Sequence, residues 1–149
     1  MSEFPPQALK EAAAEVASLL RERNETIAVA ETAAGGLVSA ALLATPGASH
    51  IYKGGLTLYT LESRIAFAGW TQANVDSYDG PTPQLVAGLA AHVRRTLEST
   101  YCVGEVCLFR SDRSHPFLTC STTEWYSRAN RKWPNAEQAT VSFSTAPSE

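Results

Sequence analysis

The sequence predicts an α/β fold, an α/β/α layered domain in which helices cover both faces of a sheet. Three observations carry that expectation. Runs at 26–30, 54–60 and 101–105 are short, apolar and β-branched or alternating, helical patterns separate them, and Gly or Pro marks several of the joins. At 149 residues, with 44% hydrophobic and 18% charged residues, the chain is long enough to close one core.

The first helix is expected over 6–23. Leu9, Ala13, Val16, Ala17 and Leu20 recur on one face, and Pro5 and Pro6 suit its start. The strand TIAVA at 26–30 leads into a helix over 35–44, which ends at the TPGAS turn, 45–49. GGLTLYT at 54–60 alternates as a strand does, and LESRIAFAG at 61–69 follows as a short helix capped by Thr60 and stopped by Gly69. Residues 71–83 are polar and carry Gly80, Pro81 and Pro83, so a loop is expected there. A helix over 83–99 presents Leu85, Val86, Leu89, Ala90, Val93 and Leu97 as a wide apolar stripe. YCVGE at 101–105 opens another strand.

Beyond Glu105 the character changes. Residues 106–149 hold 12 Ser or Thr, two of the three Trp, two of the three Cys and no Gly, with no sustained period. This divergent tail reads mostly as loop, with strand fragments at 106–109 and 139–143. A sheet that ended at 101–105 would leave an unpaired edge.

A net charge of −3 provides no electrostatic footprint for nucleic acid or an anionic membrane. No apolar run reaches the roughly 20 residues of a membrane span. The opening MSEFPPQALKEAAAE has neither a basic nor a greasy leader segment, so a cytoplasmic protein is expected. Three cysteines without a secretory signal then read as reduced thiols.

The most informative segment is AETAAGG at 30–36, an acid, a hydroxyl and two glycines where a strand gives way to a helix. Backbone N–H groups at such a turn suit a phosphate, a carboxylate or the oxyanion of an acyl-transfer step. Taken alone, the segment reads first as an N-cap, Thr32, followed by chain-turning glycines.

AETAAGG, TPGAS and YKGGLTLYTLESR, in that order and followed by a long helix, resemble the C-terminal domain of the CinA family. That family's corresponding patterns are AESCTGG, PGSS and a strand ending TYSNEAK. The resemblance covers residues 7–105, so 1–105 is expected to be a CinA-like α/β domain, incomplete at its C-terminal side. It implies a nicotinamide mononucleotide deamidase: an amidohydrolase that converts the ring carboxamide to a carboxylate and releases ammonia, commonly as a homo-oligomer and with no cofactor or metal. The family's catalytic serine, tyrosine and lysine fall on Thr32, Tyr59 and Arg64. Substrate contacts are implied at Glu31, Ala33, Ala34, Gly35, Gly36 and Thr60.

Thr32 retains a hydroxyl nucleophile, but arginine cannot accept a proton, so the resemblance leaves Arg64 an electrostatic role, as charge partner of Tyr59 acting as base or as a binder of the substrate phosphate. The family's GIAGP segment after the last strand has no counterpart in VCLFRSDRSHPF. An abrupt end of this kind is what a shifted reading frame, a retained intron or an alternative splice would leave. Hence the alternative reading is a catalytically inactive remnant that binds a ligand or oligomerises. Outside the resemblance, Arg64 reads as a solvated helix residue paired with Glu62, and Tyr59 as a buried strand aromatic.

Other candidates are weaker. Cys102, Cys107, His115 and Cys120 are spaced C-x4-C-x7-H-x4-C, without the close pairs of structural zinc sites. His50 reads as a lone exposed histidine, His92 as part of a solvated helix face, and Asp76, Asp79 and Gly80 as a turn.

Overall fold

The strand Ile27–Glu31 (β1) is buried along its whole length, which is what pairing on both edges and cover on both faces require. A computed structural model describes residues 4–80, 82–105, 119–120, 124–127 and 141–142. In chain order, helix α1 (Gln7–Arg23) precedes β1, and α2 (Leu37–Leu43) joins it to β2 (Tyr52–Thr57). Helices α3 (Leu61–Phe67), α4 (Gln72–Asp76) and α5 (Pro83–Thr96) then lead to β3 (Tyr101–Gly104). Three further strands are β4 (Thr119–Cys120), β5 (Glu124–Ser127) and β6 (Val141–Ser142).

The main sheet has the order β2-β1-β3-β5. β1 is parallel to β2 and to β3, and β5 is antiparallel to β3. Strands that are linked by helices and pair in parallel are the α/β layering predicted above.

Alternation along β1 divides the core in two. Ile27 and Val29 face α1 and α2, packing with Ala13, Ala17, Leu20, Ala41, Leu42 and Val103. Ala28 and Ala30 face the other way, onto Leu58, Ala68, Cys102 and the α5 residues Leu89, Ala90 and Val93. Each fully buried Val, Leu or Ile contributes about 1.5–3 kcal/mol relative to exposure. The small side chains on the α5 face let that helix lie close to the sheet. Gly104 shows how close, because a Cβ there would stand 2.7 Å from Val86 Cγ1 and 3.1 Å from the Val86 carbonyl oxygen.

Several expectations need correction. The loop predicted over 71–83 contains α4, set by local side-chain bonds: Asn74 Oδ1 accepts from the Thr71 N–H at 2.8 Å and from its hydroxyl at 2.9 Å. β2 runs Tyr52–Thr57 rather than to Thr60, since beyond Leu58 the chain turns so that Thr60 Oγ1 accepts from Ser63 N–H and caps α3. The edge expected to stand unpaired at β3 is covered by β5, with Tyr101 opposite Ser127 and Gly104 opposite Glu124. The strand predicted over 106–109 lies outside the described residues. Of the one predicted over 139–143, Val141–Ser142 forms β6 against β4.

Two outcomes follow from this packing. Gly104→Ala forces a methyl group into Val86 and Ala90, and urea denaturation should show a loss of about 1–3 kcal/mol. Burial pushes the Cys102 thiol from 9.0 up to about 12, against the lowering effect of Arg94. Between these values the folded chain holds a proton that the unfolded chain has lost, so stability falls as pH rises through that window. Burial likewise raises Tyr52 and Tyr101, whose loss falls above pH 10, with the same sign. Urea melts at pH 8 and above pH 10 should therefore give a lower midpoint at the alkaline end, and Cys102 should resist alkylation in the native protein while reacting in urea.

Candidate functional site

The carboxyl ends of β1, β2 and β3 lie side by side, and the AETAAGG turn leaves the first of them. Gly35 and Gly36 take left-handed backbone conformations, φ 64° and 96°, and Gly36 is the N-cap of α2. Thr32 is thus four residues before that cap, which corrects the N-cap reading of its hydroxyl.

Glu31 ends β1 and is wholly buried. Its Oε1 accepts from Val38 N–H at 2.7 Å, and its Oε2 from Ser39 N–H at 3.2 Å and the Ser39 hydroxyl at 2.6 Å. The carboxylate therefore caps α2 from outside the helix, where negative charge also suits the dipole. Tyr52 extends this cluster through the Ser39 hydroxyl. Desolvation raises the Tyr52 phenol, the Ser39 bond opposes the rise and the Glu31 charge adds to it.

Glu105, just past β3, holds the other side of the turn. Its Oε2 accepts from Thr32 N–H at 3.0 Å and from Ala34 N–H at 2.9 Å, while its carbonyl accepts from the Thr32 hydroxyl at 3.1 Å. Both residues are buried. The N–H groups of Ala33, Gly35 and Gly36 have no acceptor among the described residues. The expected anion cradle is thus divided: Ala34 and Thr32 already hold a carboxylate, and three N–H groups remain.

Arg64 is buried rather than solvated, at 4% exposure. Its Nε donates to the Leu58 carbonyl at 3.2 Å, and its guanidinium carbon lies 5.2 Å from the Trp70 ring and 5.3 Å from the Tyr78 ring. Those two rings are 5.9 Å apart, so the three groups form a nearly equilateral cluster. Arg64 Nη1 is buried and has no hydrogen-bond partner among the described residues. Tyr59, expected beside Arg64 or inside the strand, is 73% exposed. The ring contacts of Arg64 are Trp70 and Tyr78 instead, because the Leu58 carbonyl draws its Nε inward.

Of the predicted positions, then, Thr32 and Ala34 meet Glu105, which sequence reasoning missed. Its only signal was a lone acid at the end of an apolar strand. Glu31 and Thr60, where the resemblance implies substrate contacts, cap α2 and α3. His92 is half-buried against Gly69 rather than on a solvated face. Among the described residues no group of three or more His, Cys, Asp or Glu is placed to hold a metal, and no helix is long and apolar enough to cross a membrane. Cys107 and His115 lie outside the described residues.

Glu31→Ala strips the acceptor from two N–H groups and a hydroxyl. Left unpaired, such groups cost about 1–3 kcal/mol each, against about 1 kcal/mol for loss of an exposed cap such as Thr60→Ala. Thermal melts of the two variants should separate them in that order.

With this geometry established, similarity to known proteins follows the same segments. The profile of the CinA C-terminal domain matches residues 9–106. CinA-like proteins of Frankia casuarinae and Thermotoga neapolitana are 35% identical over 86 residues and 31% identical over 88, covering 58% and 59% of this chain. These matches take in 20% and 22% of the relatives' length, so the chain corresponds to about a fifth of each. A CinA superfamily protein of Klebsiella pneumoniae shares the fold at a TM-score of 0.73 and 16% identity, over 92% of this chain and 84% of that one. A competence or damage-inducible protein of Enterobacter asburiae does so at 0.67 and 19%, over 93% and 84%. With two thirds of its residues inside the matched profile and its sheet reproduced in those structures, the chain belongs to the CinA C-terminal domain family.

Proposed function

We propose that the chain is a ligand-binding form of the CinA C-terminal domain, which takes a nicotinamide nucleotide at the Thr32 turn without hydrolysing its amide. Arg64 carries this reading. Amide hydrolysis through Thr32 needs a group that removes the hydroxyl proton, and an arginine side chain stays protonated. Tyr59 is turned to solvent, and the Thr32 hydroxyl donates to a backbone carbonyl, which takes no proton. The remaining N–H groups of Ala33, Gly35 and Gly36 still offer hydrogen bonds to a carboxamide oxygen.

One observation favours the amidohydrolase reading. The same three N–H groups stand beside a threonine hydroxyl, as an oxyanion site stands beside its nucleophile. In that case Tyr59 would have to turn in from solvent: Thr32 Oγ1 attacks the carboxamide carbon, Tyr59 takes the hydroxyl proton and passes it to the amide nitrogen, and the C–N bond breaks to release ammonia. Water then cleaves the Thr32 ester to the acid and returns a proton to Oγ1, with no metal or organic cofactor involved.

Ammonia release and calorimetric binding of nicotinamide mononucleotide, measured on the protein and on Thr32→Ala, separate the two. Saturable binding with no ammonia above buffer is expected. Ammonia release that Thr32→Ala abolishes would establish turnover instead, and absence of both would remove the nucleotide altogether.

A further inference from the structure

Arg64 is buried at 4% exposure, yet it keeps a donor that the fold leaves unmet. Its Nε is committed to the Leu58 carbonyl at 3.2 Å. Nη1 has no acceptor, and no carboxylate among the described residues pairs with the guanidinium. The rings of Trp70 and Tyr78, 5.2 Å and 5.3 Å from the guanidinium carbon, attract its charge but bring no oxygen to its N–H groups. A buried charge is ordinarily both paired and hydrogen-bonded.

The cover over this group is a strap. Of residues 71–79 only Val75 and Tyr78 are half-buried, and the others are exposed. Every hydrogen bond these residues make among the described ones stays inside the segment, as between Thr71 and Asn74, Gln72 and Asp76, or Ser77 and Ala73. The start of the strap is anchored, since Trp70 donates its N–H to the Arg64 carbonyl at 3.2 Å and packs on the core beside α5. Its end is not anchored. Gly80 sits at φ 101°, with nothing among the described residues within 4 Å of where a Cβ would stand. Tyr78 is thus the latch, the one ring of the strap that lies on Arg64.

We infer that Arg64 is the receptor of an oxyanion such as phosphate, and that residues 71–79 form a strap which lifts the Tyr78 ring from the guanidinium to admit it. Guanidinium and oxyanion match in charge and in the spacing of N–H groups against oxygens, so one bound anion supplies both the acceptor and the countercharge that Arg64 lacks. Lifting the strap gives up a ring contact and none of the bonds inside α4. It also carries away Asp76 and Asp79, two exposed acids that would repel the incoming anion. The inference goes beyond the reading of the Thr32 turn and does not rest on it.

The test titrates inorganic phosphate into the full chain, with chloride at equal ionic strength as control and no nucleotide present. The readouts are the Arg64 Nε–H and Trp70 indole N–H resonances and the melting temperature. Phosphate should move both resonances saturably and raise the melting temperature, as a ligand of the folded state does, while chloride does neither. Tyr78→Ala removes the latch and should bind phosphate about tenfold tighter. Arg64→Met should lose the response of Trp70 and of the melting temperature. Where that variant does not fold, Arg64→Lys keeps the charge without the planar fork and should bind about tenfold more weakly. Phosphate that moves neither resonance, in the unmodified protein or in Tyr78→Ala, overturns the site. Tyr78→Ala that binds no tighter than the unmodified protein overturns the strap, and an undiminished response in the Arg64 variants puts the anion elsewhere and overturns both.

Discussion

Two buried carboxylates hold the turn between β1 and α2, and the geometry around Thr32 depends on them. Glu31 accepts from Val38 and Ser39, and Glu105 from Thr32 and Ala34, so four backbone N–H groups find acceptors in two side chains. A turn that leaves a fully buried strand cannot pair these groups with a neighbouring strand. Each one left dry would cost about 1–3 kcal/mol, comparable in sum to the whole stability of a domain. The residues are also divided between strands. Glu31 ends β1 and ties it to α2, whereas Glu105 follows β3 and ties that strand to the turn, so the site is fixed to two adjacent strands of the sheet.

This arrangement accounts for what the sequence could and could not reveal. The layers were legible because β1 carries the mark of a strand buried on both faces, and α1 and α5 repeat apolar residues at helical spacing. α4 was not, since five residues show no period and its start is set by Asn74 folding back on Thr71. β5 was hidden for a different reason: it is placed by pairing with β3, a long-range partner that composition in the tail does not indicate.

At the site the same distinction holds. The position of Thr32 at a strand-to-helix turn is local and was legible. Glu105 meets Thr32 across 73 residues of sequence, and Arg64 lies against the rings of Trp70 and Tyr78, which flank α4 on either side. The bonds from Glu31 to Val38 and Ser39 span only seven and eight residues, but they cross a glycine turn whose path no periodicity marks.

Arg64 brings the electrostatics together. A buried guanidinium keeps its charge, so the fold must stabilise it without a proton leaving. The Leu58 carbonyl and the faces of Trp70 and Tyr78 supply dipole and quadrupole, worth about 0.5–2 kcal/mol per aromatic contact. A lysine ammonium in the same place could instead lose its proton, because burial lowers its pKa and leaves an amine able to act as base. Arginine in place of lysine therefore changes the acid–base chemistry open to this position and leaves its charge the same. The reading proposed above rests on that difference, since a guanidinium that cannot release its proton gives this position a fixed charge and no base.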